Sequence, residues 1–315
     1  MTMLQNISQF YSIAPMMGKT DSYFCFLMSL INNNITIYTE MMHSEAVIRT
    51  NILNDYKILK NFSNIKVQIA GNKPNRMAKA AKKISELGFA EVNINCGCPS
   101  KSVIAGDFGL ILLKNPKIVK DCVNAIKNET DLKVSVKTRI GIGTKYNDNL
   151  LNNFVSEINM SGVNKYIIHA RNGILGKLST KKNLSIPPLK YERVFKLKKK
   201  FSKNKIIING GFLNTLDFQK YKNKVDGIMI GREAYKNPWI FAKNPITSQQ
   251  KVALVIKYIT KLKKLFTGKS INKNSITHIQ NIFNSTDGAK NWRKAVNFSI
   301  HNNDLQYLLN YIKSS

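Results

Sequence analysis

A regular succession of short apolar segments, rich in β-branched residues, constrains the fold of this 315-residue sequence more than any other feature. The segments recur at intervals of about 20 to 40 residues. Each has the length and composition of a buried strand. They cover residues 12–15, 35–41, 65–70, 91–97, 133–139, 165–171, 205–211 and 227–232.

The stretches between these segments show the apolar spacing of helices, for example from Met77 to Gly88 and from Pro116 to Ile126. Eight strand-then-helix units predict an α/β fold of the (β/α)₈ or TIM-barrel type. A doubly wound sheet is the alternative, but it should carry G-x-G-x-x-G after the first strand. The sequence there is Pro15-Met16-Met17-Gly18, so the barrel is preferred.

The barrel is predicted to end at residue 243, because Asn244-Pro245 breaks the chain. Residues 246–315 contain 11 basic and 2 acidic residues and no strand-like run. One face of a helix is apolar from Val252 to Phe266, and similar spacing starts again near Ile276, Asp287 and Asn303. We therefore predict two domains, a barrel over 1–243 and a small, basic, all-α domain over 244–315.

Composition excludes several classes of protein. The longest apolar run is about six residues, far short of the roughly 20 that cross a bilayer, and the first ten residues lack a signal-peptide pattern. Four cysteines at uneven spacing fit neither a secreted disulfide framework nor a zinc site. We expect a cytoplasmic protein with reduced thiols, no metal and no membrane contact, and we expect a monomer.

The formal net charge of +31 suits a polyanionic partner, above all a nucleic acid. A second explanation competes with it, since 42 Lys against 7 Arg, with 38 Asn and 38 Ile, is also what codons dominated by A and T produce. The placement of the charges is therefore more informative than their total.

Active sites of such barrels lie at the carboxyl ends of the strands. Glycines after the last two strands leave backbone N–H groups open to one phosphate, and long donors such as Lys137 and Gln68 suit the carbonyls and ring nitrogens of a flavin. A single phosphate site favours FMN over a dinucleotide. The cofactor residues predicted in this way are Gln68, Lys137, His169, Gly210, Gly211, Gly231 and Arg232.

Cys98 follows a glycine and precedes a proline just after the fourth strand, which predicts a loop position at the barrel mouth. A thiol with an ordinary pKa of ~8.5 is mostly protonated at neutral pH and suits proton donation. Cys25, Cys96 and Cys122 are predicted to be small core residues.

At these residues the sequence resembles the tRNA-dihydrouridine synthases, over residues 12–243 with a helical domain behind. Asn95-Cys96-Gly97-Cys98-Pro99-Ser100 is the most specific match, and Ile186-Pro187-Pro188-Leu189 resembles the A-type branch. Other matching stretches are 14–16, 20–21, 38–41, 136–141, 168–171, 208–211 and 225–234.

The resemblance implies NADPH as reductant and reduction of uridines 20 and 20a in the tRNA D-loop. It implies FMN as cofactor, held by the residues predicted above together with Pro15, Met16, Met17 and Asn209. It implies that the target base is flipped into the barrel, that hydride reaches C6, and that Cys98 protonates C5. The implied tRNA contacts are Asn95, Lys181, Leu184, Lys290 and Arg293, where Leu184 and Lys290 replace the usual arginines.

Two alternatives remain open. Another FMN barrel enzyme, such as a dihydroorotate dehydrogenase, also acts on a pyrimidine ring beside a cysteine, although the basic tail would then have no purpose. A tRNA-binding protein without redox activity is the other, and the presence of Cys98, Lys137 and His169 speaks against it.

Overall fold

A closed barrel of eight parallel strands forms the centre of the computed structural model, which describes residues 10–59, 61–176, 178–242, 245–284 and 286–314. The strands run in the order β2-β1-β9-β8-β7-β6-β5-β4, and pairing of β2 with β4 closes the barrel. The predicted TIM barrel is confirmed. The strands are β1 (Tyr11–Ile13), β2 (Thr36–Tyr38), β3 (Met42–His43), β4 (Ile65–Ala70), β5 (Glu91–Cys96), β6 (Lys133–Arg139), β7 (Lys165–His169), β8 (Lys205–Asn209) and β9 (Gly227–Ile230).

The second predicted strand, 35–41, is wrong in its extent. Only residues 36–38 form a strand, β2, and the two-residue β3, which pairs with β4 beyond the closed barrel, begins after the predicted segment has ended. The strand stops early because of Glu40, whose backbone N–H donates to the carbonyl of Thr20, 2.8 Å away in the loop after β1. The chain therefore leaves the strand ladder at this point.

Helices cover the outside of the barrel, and two of them confirm the predicted helical stretches. α3 and α5 both begin at a proline in the first turn, where a missing N–H is tolerated. Between β8 and β9 the chain forms a 3₁₀ turn, Thr215–Lys220, and no α-helix. The barrel helices are α1 (Ser22–Ile31), α2 (Ser44–Arg49), α3 (Pro74–Glu86), α4 (Lys101–Ala105), α5 (Pro116–Glu129), α6 (Asp148–Asn159), α7 (Tyr191–Lys200) and α8 (Arg232–Lys236).

The C-terminal part is helical as predicted, with α9 (Ser248–Leu265), α10 (Lys273–Thr277), α11 (Ala289–Asn302) and α12 (Leu305–Ser314). The predicted domain boundary, between 243 and 244, lies outside the described residues. None of the helices in the described ranges has the length and apolarity needed to span a membrane.

The C-terminal helices pack against α1 beside the first strand. Phe26 stacks on Tyr258 with ring centroids 5.6 Å apart. His278 joins the two parts, since its Nε2 lies 2.8 Å from Asp21 Oδ1 and its Nδ1 lies 3.2 Å from the hydroxyl of Tyr235. Because Asp21 follows the loop that leaves β1, the helical part is fixed next to the carboxyl end of the barrel.

Candidate active site at the barrel mouth

Strand register brings most of the predicted cofactor residues to one end of the barrel. Asn95 pairs with Lys137 across β5 and β6, and His169 pairs with Asn209 across β7 and β8. Gln68 lies one strand further along, where its Oε1 accepts a hydrogen bond of 2.8 Å from Asn95 Nδ2. Polar side chains at five successive strand ends therefore lie at the same end of the barrel, as the sequence predicted.

Cys98 lies on the loop that leaves β5, and its backbone is held on both sides. Its N–H donates to Asn95 Oδ1 at 3.0 Å, and its carbonyl accepts from the N–H of Leu110 at 3.0 Å. The thiol is partly exposed, and its Sγ lies 3.4 Å from Ser100 Oγ. The loop therefore presents the thiol in a fixed position at the mouth.

The other three cysteines are buried, as predicted. Burial raises the pKa of the Cys25 and Cys96 thiols well above the usual value, and it raises the pKa of Cys122 to about 12. Of the four cysteines, all within the described ranges, only Cys98 is accessible for chemistry.

Arg139 has a role that the sequence did not indicate. Its guanidinium is buried and donates to the carbonyl of Gly97 at 2.9 Å, Asn172 at 3.2 Å and Asn183 at 3.1 Å. Removal from water lowers its pKa to about 10. Arg139 thus ties the Cys98 loop to the loop after β7. The sequence shows a positive residue at a strand end, but it does not show these partners, which lie 33 and 44 residues later in the chain.

Lys137 and His169 are basic groups whose side chains have no hydrogen-bond partner among the residues that the structure describes. Lys137 Nζ has no hydrogen bond or ion pair among the described residues, and desolvation together with Arg139 lowers its pKa to about 7. His169 Nδ1 is buried and lacks a partner in the part of the chain that the structure describes. Desolvation and the charges of Arg139, Lys137, Arg171 and Arg232 lower the pKa of His169 well below its usual value. Such a site favours a ligand that brings hydrogen-bond acceptors and negative charge.

The turn after β8 has two positions that only glycine can occupy without strain. Gly210 and Gly211 have φ of +121° and +78°, which side chains rarely adopt. A Cβ at Gly210 would lie 2.9 Å from Leu189 Cδ2, and one at Gly211 would lie 2.6 Å from Leu189 Cδ1. The Tyr191 hydroxyl fixes the turn by donating to the carbonyl of Gly210 at 2.5 Å. Both the backbone conformation and the neighbouring Leu189 therefore require glycine at these two positions.

The remaining predicted cofactor residues differ in how far they are built into the fold. Asn209 already makes one side-chain hydrogen bond within the protein, since its Nδ2 donates to the carbonyl of Met229 at 2.8 Å. Met16 N–H donates to Thr20 Oγ1 at 2.8 Å, whereas the neighbouring Met17 is 65% exposed. Pro15 and Gly231 are partly exposed and Arg232 is exposed.

The predicted tRNA contacts lie on three separate elements. Lys181 is exposed and Leu184 half-buried on the loop between β7 and α7. Lys290 is exposed on α11, where Arg293 donates to Asn284 Oδ1 at 3.1 Å. Asn95 belongs to the barrel, and its Oδ1 is already used by the N–H groups of Gly97 and Cys98. Its contact with RNA stays a prediction.

The sequence profile described as Dihydrouridine synthase (Dus) matches residues 12–314. The chain belongs to the dihydrouridine synthase family. It is 34% identical over 310 residues to the tRNA-dihydrouridine(20/20a) synthase of Shewanella oneidensis, covering 95% of this chain and 91% of the relative. It is 35% identical over 303 residues to the enzyme of that name from Synechocystis sp., covering 91% and 88%. The resemblance noted in the sequence is confirmed, including its branch.

Solved structures support the fold alone. Morphinone reductase aligns with a TM-score of 0.51 at 11% identity, covering 75% of this chain and 84% of its own. The old yellow enzyme homologue from Zymomonas mobilis aligns with a TM-score of 0.53 at 13% identity, covering 76% and 89%. Likeness at this level of identity gives no residue roles.

Proposed function

We propose that this dihydrouridine synthase reduces uridines 20 and 20a of the tRNA D-loop to 5,6-dihydrouridine, with FMN as cofactor and NADPH as reductant. The observation that carries the proposal is the position of Cys98, the accessible thiol among the four cysteines, at the same end of the barrel as Lys137 and His169, whose side chains have no hydrogen-bond partner among the described residues. The curated relatives named above supply the substrate class.

The residues present fit FMN. Lys137 would donate to a carbonyl or ring nitrogen of the isoalloxazine, and Gln68 Nε2 has a second N–H beyond the one it gives to Asn93. His169 and the turn at Gly210 and Gly211 would receive the phosphate, with Arg232 adding charge from the solvent side. The chemistry that bound FMN supplies is hydride transfer to the pyrimidine.

Substitution of the phosphate residues tests the cofactor assignment. We expect His169→Ala and Arg232→Ala to lower the fraction of purified protein that contains FMN, because each removes a donor or a charge from the phosphate. His301→Ala is the control, since His301 is exposed on α11. FMN occupancy equal to the control in both variants would refute this phosphate site.

Cys98 would hold the proton that the pyrimidine receives at C5. We expect Cys98→Ala to keep flavin content and reduction by NADPH but to lose about 10²-fold or more in uridine reduction, the usual scale for a general acid. Cys96→Ala is the matched control because Cys96 is buried two residues away. Mapping of dihydrouridine in tRNA from cells with and without the gene tests the target positions, and turnover of free dihydroorotate or orotate would point to the other class of barrel enzyme.

The C-terminal helices would bind the RNA, with the excess of 11 basic over 2 acidic residues after 245 supplying phosphate contacts. A base inside folded RNA must be extruded before it can reach the barrel mouth. A second basic region that recognises RNA shape is therefore a requirement of this reaction. We further propose that the protein acts as a cytoplasmic monomer.

A further inference from the structure

A chain of hydrogen-bonded side chains runs through the interior of the barrel beneath the Cys98 loop. Polar residues alternate along β5 with the apolar Val92, Ile94 and Cys96, which pack outward in the main core. The inward row on three neighbouring strands consists of Gln68, Asn93 and Ser135, which are in register and fully buried.

Each side chain in the row bonds to the next. Asn95 Nδ2 donates to Gln68 Oε1 at 2.8 Å, and Gln68 Nε2 donates to Asn93 Oδ1 at 2.7 Å. Asn93 Nδ2 donates to Ser135 Oγ at 2.9 Å, and Ser135 Oγ donates to Glu91 Oε1 at 2.7 Å. The chain therefore descends four residues of β5, roughly 13 Å at 3.3 Å per residue.

The direction of the chain is fixed independently at both ends. At the top, Asn95 Oδ1 accepts the backbone N–H groups of Gly97 and Cys98, so its amide must face Gln68. At the bottom, both oxygens of Glu91 accept from Lys165 Nζ at 2.9 and 3.0 Å, and a carboxylate held in this way is only an acceptor. The two ends require the same sense, with every donor pointing down toward Glu91.

This single sense fixes the orientation of two amides. Gln68 cannot exchange its oxygen and nitrogen without breaking two buried hydrogen bonds, so its second N–H stays without a partner among the described residues. Asn95 likewise keeps its oxygen under the Cys98 loop. Buried networks of this kind are rigid when every member is satisfied.

We propose that Ser135 is a positioning residue, which, with Asn93 above and Glu91 below, orients Gln68 and holds the Cys98 loop in place. The inference rests on the proposed function for the flavin at Gln68 and the proton at Cys98. Ser135 touches neither, and it acts through Asn93, Gln68 and Asn95.

Ser135→Ala tests the proposal because it removes one oxygen and little volume. Ser12→Ala is the matched control, since Ser12 is 2% exposed on β1 and its Oγ donates to the carbonyl of Ile228, which does not belong to this series of hydrogen-bonded side chains. The first measurement is the rate at which iodoacetamide alkylates Cys98 in flavin-free protein, located by mass spectrometry. The other cysteines are buried and serve as internal references.

We expect Ser135→Ala to raise the Cys98 alkylation rate several-fold. It should lower kcat for uridine reduction about tenfold, the scale of one buried hydrogen bond, and leave the KM for tRNA within about twofold of the wild-type value. The flavin absorption maximum should also shift. Ser12→Ala should change none of these, and Ser135→Thr, which keeps the hydroxyl, should restore most of the kcat.

Equal alkylation rates and equal kcat in Ser135→Ala and Ser12→Ala would overturn the proposal, as would equal losses in both. Failure of the proposed function is a separate result, because wild-type protein would then show no flavin binding and no uridine reduction. The alkylation rate of Cys98 in the flavin-free protein would still decide whether the hydrogen-bonded side chains hold the Cys98 loop.

Discussion

Replacement of Lys137 by methionine should stabilise the flavin-free protein while weakening its hold on flavin. Burial and the nearby Arg139 lower the pKa of Lys137 from 10.5 to about 7. A change of one in the pKa corresponds to ~1.4 kcal/mol, so the charged form of Lys137 destabilises the folded state by at most about 5 kcal/mol. Lys137 is partly exposed, and water relieves part of this cost. We expect Lys137→Met to raise the free energy of unfolding by about 1–3 kcal/mol at pH 6.

The dependence on pH separates this electrostatic effect from a gain in apolar packing. The folded pKa lies below the unfolded pKa, so the unfolded chain binds the proton more readily and stability rises with pH between about 7 and 10. The cost is fully present below pH 7. The stabilisation by Lys137→Met should therefore fall to less than half between pH 6 and pH 9, whereas a packing gain would stay constant.

Urea unfolding of the flavin-free protein at the two pH values measures the difference in the free energy of unfolding. Titration with flavin measures the change in flavin affinity. A charge-assisted hydrogen bond contributes ~1.5–3 kcal/mol, so the Kd for flavin should rise about 10- to 100-fold. Lys79→Met, on the exposed face of α3, is the control and should change stability by less than ~0.5 kcal/mol. A destabilised Lys137→Met protein, or one with unchanged flavin affinity, would refute the reasoning.

Two further changes test the phosphate turn and the RNA surface. Gly211→Ala should lower FMN occupancy and stability more than Gly143→Ala. Both glycines have a positive φ near +80°, but of the two only Gly211 has a neighbour, Leu189 Cδ1, 2.6 Å from the position of the new Cβ. Equal effects of the two substitutions in calorimetry and flavin content would assign the effects to backbone strain alone. The double change Lys290→Ala with Arg293→Ala should raise the KM for tRNA and flatten the plot of log K against log salt by a slope of up to about 2, with flavin content unchanged; an unaltered slope would show that these charges do not contact RNA.

The positions of the strand ends could be predicted from the sequence because a buried parallel strand needs only a short apolar run. Each of the eight segments overlaps one barrel strand, and the polar residues after them do converge. The second segment was predicted too long because Glu40 bonds to Thr20, a residue 20 positions earlier. Periodicity describes neighbours along the chain and contains no information on such a contact.

The internal roles of the polar residues could not be predicted for a related reason. Glu91, Asn93 and Ser135 alternate with apolar residues in their strands, which is the pattern of a side that avoids the apolar core. The same pattern describes a solvent-facing strand. Only closure of the barrel turns that side inward, and only register shows that an amide on β5 meets a hydroxyl on β6.

The loop after β1 shows why cofactor binding and RNA binding should be considered together. Asp21 Oδ1 accepts from the N–H groups of Tyr23 and Phe24, which starts α1, and it also meets His278 Nε2 from the C-terminal helices. The preceding Thr20 accepts the N–H of Met16, a predicted flavin contact. The residue that meets the C-terminal helices is therefore covalently joined to the residue that holds Met16, and both contacts are made within residues 16–21.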